Sequence, residues 1–143
     1  RDRSYDDQGN YDPNNDSLDK FRLTTKSAPL SAGFGAAIRF VQNIGMGSVE
    51  NRALELSGKL KNMLDVIPKV TVLSPRDKLL SSGLTAFQIQ GLEPDEAVDK
   101  LWRDHNIVSR QVKEISAVRI STHFFNTDDE LAYLTDAVRQ ISA

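Results

Sequence analysis

Residues 118–141 read VRISTHFFNTDDELAYLTDAVRQI, and the pattern changes period halfway along. Val118, Arg119, Ile120 and Ser121 alternate apolar and polar, as a strand with one buried face does. From Thr127 onward the repeat lengthens. Leu131, Leu134, Val138 and Ile141 recur every three or four residues, which is one face of a helix. Thr127 and Glu130 have the spacing of a capping box, in which each side chain accepts a hydrogen bond from the other residue's backbone N–H. A strand running into a capped helix predicts a sheet with helices packed against it.

Upstream, the same two periods alternate. Leu30, Phe34, Ile38 and Val41 fall on one face of a first helix, which stops at Gly45 and Gly47. A second helix is expected from near Ser48, with an inward stripe of Val49, Ala53, Leu56, Leu60, Met63 and Ile67. Pro68 ends it, because its ring denies the next turn a hydrogen bond. Val70–Leu73 and Leu84–Ile89 read as strands separated by Ser81-Ser82-Gly83. Pro94 suits the first turn of a third helix carrying Ala97, Val98, Leu101 and Trp102. Ile107–Arg110 and Val118–Ser121 read as two further strands. The order helix, helix, strand, strand, helix, strand, strand, helix implies an α+β fold, a small and mostly antiparallel sheet with helices on one face.

Composition narrows the classes of function. The 143 residues are 39 % hydrophobic and 27 % charged, enough for one packed, soluble domain. Lys and Arg total 18 against 20 for Asp and Glu, a net charge of -2, so no nucleic-acid partner is expected. No apolar run approaches the roughly 20 residues that cross a bilayer. No basic-then-apolar segment opens the chain. No membrane contact and a cytoplasmic location are therefore expected. Cysteine is absent, which removes disulfides, thiolate metal sites and thiol nucleophiles from this stretch.

Residues 1–20 are acidic, with Asp2, Asp6, Asp7, Asp12, Asp16 and Asp19 against Arg1, Arg3 and Lys20, and read as a polar loop or linker ahead of a domain spanning 21–143. Asp12, Asn14 and Asp16 begin like a calcium loop. The match fails where Ser17 replaces the turn glycine and Leu23 stands in place of the bidentate glutamate, so no metal site is expected. Asn15-Asp16-Ser17 fits a glycosylation sequon without other signs of secretion.

The candidate chemistry lies near Arg119. Strict alternation would put Arg119, Ser121 and His123 on one sheet face, opposite Ile120. An arginine there offers a planar fork matched to a carboxylate, and spacing alone leaves that reading and an ordinary surface ion pair both open. His105, beside Asp104 and Asn106 at a helix end, reads as a surface residue complementing the helix dipole.

The stretch Arg119-Ile-Ser-Thr-His-Phe-Phe-Asn-Thr-Asp-Asp-Glu130 resembles the C-terminal signature of the class V aminotransferases. These are pyridoxal-phosphate (PLP) enzymes of fold type I, among them cysteine desulfurases and isopenicillin N epimerase-like proteins. Phe21-Arg-Leu-Thr-Thr25, followed by Gly33-Phe-Gly-Ala-Ala-Ile-Arg-Phe40 and Ile44-Gly45, is similar to a second block of that family. Ile107-Val-Ser-Arg110 resembles the strand that brings an arginine to the substrate side. The resemblance implies that residues 21–143 are the C-terminal small domain of such an enzyme, working as a homodimer on an amino-acid substrate. By the same resemblance, Arg119 holds the substrate α-carboxylate, Arg110 and His123 line the substrate pocket, and Thr25 reaches the cofactor phosphate of the opposite subunit. Thr24 departs from the glycine usual at its position.

Other departures bear on activity. None of Lys20, Lys26, Lys59, Lys61, Lys69, Lys78, Lys100 and Lys113 stands in the family's Schiff-base lysine context. The resemblance therefore places the PLP-binding lysine in a large domain outside this stretch, and no catalytic residue within it. Gln111–Ala117, the link between the two arginine strands, has no cysteine to attack a substrate sulfur, which disfavours desulfuration and leaves transamination, epimerisation and C–S lysis. Two alternatives remain. One is a non-catalytic α+β dimerisation or ligand-binding module that has lost PLP chemistry. The other is a plain structural domain, which would leave Arg119 paired to a local acid.

Overall fold

The computed structural model describes Gln8, Asn10 and residues 27–143. Thr24, Thr25, the calcium-like segment and the sequon lie outside the described residues. The elements follow the expected order: α1 (Ala28–Ile44), α2 (Met46–Asp65), β1 (Val70–Val72), β2 (Leu84–Ile89), α3 (Pro94–His105), β3 (Arg110–Val112), β4 (Ala117–Ser121) and α4 (Asp128–Ile141). Chain contacts divide it into two compact units, residues 1–43 and 44–143.

In the first unit, α1 has the expected apolar face, and Leu30, Phe34 and Ile38 on it are exposed. Gly45, at φ 90°, ends the helical run in a conformation that suits glycine. α2 then starts at Met46, two residues before the expected Ser48.

The second unit is an α+β layer. Its four strands form one antiparallel sheet in the order β1-β2-β4-β3. Directly opposed residues of antiparallel strands point to the same face. One face, carrying Phe87, Ile89, Val118 and Ile120, packs against Leu56, Leu60 and Leu64 of α2, Ala97 and Leu101 of α3, and Leu131, Leu134 and Val138 of α4. Leu64 is fully buried, whereas the expected Met63 only packs against the cluster's edge. The other face carries Leu84, Ala86, Gln88, Arg119 and Ser121, none of them buried.

Local chemistry explains where the helices begin and end. Pro94 occupies the first turn of α3, where a missing N–H costs nothing. α3 closes on Asn106 in the left-handed conformation, with the Asn106 N–H donating to the Trp102 carbonyl and the Ile107 N–H to that of Leu101. That closure absorbs Ile107 into the helix end, so β3 starts at Arg110 rather than Ile107. Trp102, expected on the inward stripe, is 56 % exposed: Ala97 and Leu101 define the buried line and Trp102 stands one step off it.

Candidate functional site

β4 positions the central residue. Ala86 of β2 and Arg110 of β3 are the Cα partners of Arg119 on its two sides. Arg110 and Arg119 therefore project from the same face of adjacent strands. Like charges directly opposite each other are unfavourable in a sheet. Neither guanidinium has an acidic partner among the described residues. The Nε of Arg119 is buried and has no hydrogen-bond partner. Such an orphaned donor normally has an explanation, and a bound anion is one. A plain structural domain would have paired Arg119 with a local acid, and no described acid takes that place. The short link from β3 to β4 is a single turn of 3-10 helix, Lys113–Ile115, closed by Ser116 at φ 47°.

His123 does not share the face of Arg119 by strand alternation, because β4 ends at Ser121. There the Thr122 N–H and Oγ1 both donate to the Gly83 carbonyl, at 2.7 and 3.1 Å, one step beyond the last β2–β4 pair, and the chain turns only after His123. The His123 N–H donates to Asn126 Oδ1 at 2.8 Å, and the Asn126 N–H donates back to the His123 carbonyl at 3.0 Å. The imidazole lies against Phe124 and Phe125, with ring centroids 4.8 and 5.1 Å away, and is exposed. The signal for this turn is Asn126, whose short amide side chain competes with strand continuation by bonding nearby backbone. His105 ends α3 as expected, and its carbonyl accepts the Tyr133 hydroxyl at 3.1 Å.

The turn is anchored by the cap of α4. Thr127 Oγ1 accepts from the Glu130 N–H, and Glu130 Oε2 accepts from the Thr127 N–H and from Asn126 Nδ2. The Thr127 backbone bond first, and then the Asn126 amide, hold the Glu130 carboxyl below the usual glutamate range. Thr127→Ala is expected to lower stability by about 1 kcal/mol, read by thermal unfolding. Because the folded Glu130 titrates below the unfolded one, its contribution is full above the ordinary glutamate pKa and is lost as pH falls through the depressed value. An unfolding series from neutral to acid pH should show that loss in the parent and not in Glu130→Ala.

Solved structures share the fold. A cysteine desulfurase from Thermococcus onnurineus NA1, in its apo form, matches over 96 % of this chain and 36 % of its own, with a TM-score of 0.76 at 22 % identity. C-DES, a cystine C–S lyase solved as a mutant with glycine covalently linked to its PLP cofactor, matches over 94 % of this chain and 35 % of its own, also with a TM-score of 0.76 and 22 % identity. At these identities the likeness shows the fold, that of the fold-type I enzymes. Sequence adds the family: the model of Aminotransferase class-V matches residues 7–134, and this chain belongs to that family. Isopenicillin N epimerase of Streptomyces clavuligerus is 29 % identical over 105 residues, covering 71 % of this chain and 26 % of the epimerase. The chain thus spans about a quarter of that relative's length.

Proposed function

We propose that this chain supplies the substrate-carboxylate site of a PLP-dependent class-V enzyme acting on an amino acid. The observation that carries the reading is the Arg110–Arg119 pair, two arginines directly opposed on adjacent strands with no described acid and one buried Nε unpartnered. A substrate carboxylate would satisfy that donor and relieve the like-charge contact. Arg119 is the orienting residue. A strand between two neighbours holds its backbone rigid, so a fork binding both carboxylate oxygens fixes the rotation of the substrate about its Cα. Arg110, at the edge and exposed, adds positive potential. His123, its ring against Phe124 and Phe125, is assigned to the substrate pocket by the family resemblance alone.

The residues present fit the substrate side of the cofactor. When bound, PLP supplies an electron sink for the bond broken at the substrate Cα. Thr25 is assigned to the cofactor phosphate across a homodimer interface, and the cofactor lysine to a part of the enzyme other than this chain. Among the described lysines, Lys59, Lys61, Lys69 and Lys100 are each held by an acceptor of this chain. The absence of cysteine from the link between β3 and β4 favours transamination, epimerisation or C–S lysis over desulfuration. A cytoplasmic location belongs to the same reading.

The test is an absorption spectrum of the gene product that carries this chain, purified with PLP. The expected result is a visible band that borohydride bleaches. A colourless protein overturns the enzyme reading in favour of a binding or assembly module.

A further inference from the structure

One cavity with basic residues on its walls is lined by none of the residues assigned above. It encloses about 220 Å³ between α2 and the segment 75–81, with Ser57, Gly58, Lys61, Arg76, Lys78 and Ser81 on its walls. Lys61 is its base, only 2 % exposed. The Lys61 ammonium donates to the Pro75 carbonyl at 2.7 Å and to Ser81 Oγ at 3.1 Å. Both acceptors are neutral, and an ammonium carries three donors. A buried charge normally has a partner of opposite sign. The acids of this neighbourhood are engaged elsewhere: Asp65 with Arg76, and Asp77 Oδ1 with the Leu79 N–H. Lys78 is in no ion pair among the described residues. Burial first, and the charge of Arg76 second, push the Lys61 ammonium below the usual lysine range, as expected for a cation without a counter-ion.

A purely mechanical pin between α2 and the segment 75–81 would not need a charge. The cavity has room for a small oxyanion, and it offers one buried ammonium and one outer ammonium that no acid of the described chain neutralises. We propose that this cavity binds a phosphate group, with Lys61 as its buried anchor and Lys78 as its outer cation. Neither residue belongs to the proposed substrate site, so this inference stands or falls independently of Arg119.

Isothermal titration calorimetry of the full chain tests it, with inorganic phosphate as the probe and sodium chloride holding ionic strength constant. Saturable binding to the parent is expected, lost in Lys61→Met and weakened about tenfold or more in Lys78→Glu. Lys78 is exposed, so its variant keeps the test decisive if Lys61→Met fails to fold. Glycerol 3-phosphate titrated in parallel separates the two sources of the group. Equal or tighter binding assigns the site to phosphate monoesters, and binding of inorganic phosphate alone assigns it to the free ion. No saturation by about 50 mM of either probe, a concentration far above any specific phosphate site's need, overturns the proposal. So does unchanged affinity in Lys78→Glu, because the phosphate would then be bound elsewhere.

Discussion

Arg119→Ala is expected to lower kcat/KM of the complete enzyme by about two to three orders of magnitude, the range for removing one partner of a buried, hydrogen-bonded charge pair. The loss should reach kcat as well as KM, because a substrate that rotates about its Cα presents the wrong bond to the cofactor. Arg119→Lys keeps the charge and discards the planar fork, and should recover only part of the loss. The fold should not suffer. Arg119 has Arg110 directly across the strand pair and no described acid, so its removal relieves a like-charge contact, and Tm should stay level or rise. The visible band of the cofactor should be unchanged, since Arg119 is assigned to the substrate. Steady-state kinetics, thermal unfolding and an absorption spectrum decide the matter together. Wild-type kcat/KM in Arg119→Ala would remove the residue from the site.

The legible part of this fold is the part set by contacts near in sequence. Pro94 and the Thr127–Glu130 box mark helix starts through backbone chemistry that operates within four residues, and both occupy those places in the structure. β2 runs over Leu84–Ile89, the β-rich run expected after the Ser81-Ser82-Gly83 break. The illegible part depends on pairing at a distance. That Arg110 faces Arg119 follows from where β3 begins. This in turn follows from the closure of α3 through Asn106 and Ile107, and a period count cannot see it. His123 fits an extended strand pattern, but the bonds exchanged between His123 and Asn126 turn the chain there. Lys61 reads as an ordinary charged position of a helix, and only the return of the segment 75–81 buries it. The place of Arg119 on a strand was therefore available from the sequence, while its electrostatic surroundings required the register of the sheet.

The Thr122–Gly83 contact makes Gly83 the position where a single methyl group should do the most structural harm. A Cβ built on Gly83 meets the Thr122 carbonyl oxygen well inside contact distance, and the Ala53 Cβ at 3.6 Å behind it. The first obstacle is backbone, which cannot swing aside as a flexible side chain would. Gly83→Ala must therefore push β2 and the end of β4 apart. That strains the two bonds from Thr122 to the Gly83 carbonyl as well as overpacking the gap. Together these effects should cost about 3 kcal/mol, and Tm should fall by more than about 10 °C. Gly58→Ala is the contrast. A Cβ there meets nothing within 4 Å, inside the regular helix α2, and should stabilise by about 0.5–1 kcal/mol. Denaturant unfolding of both variants measures the difference. A Gly83→Ala protein within about 1 kcal/mol of the parent would show that the strand ends slide freely.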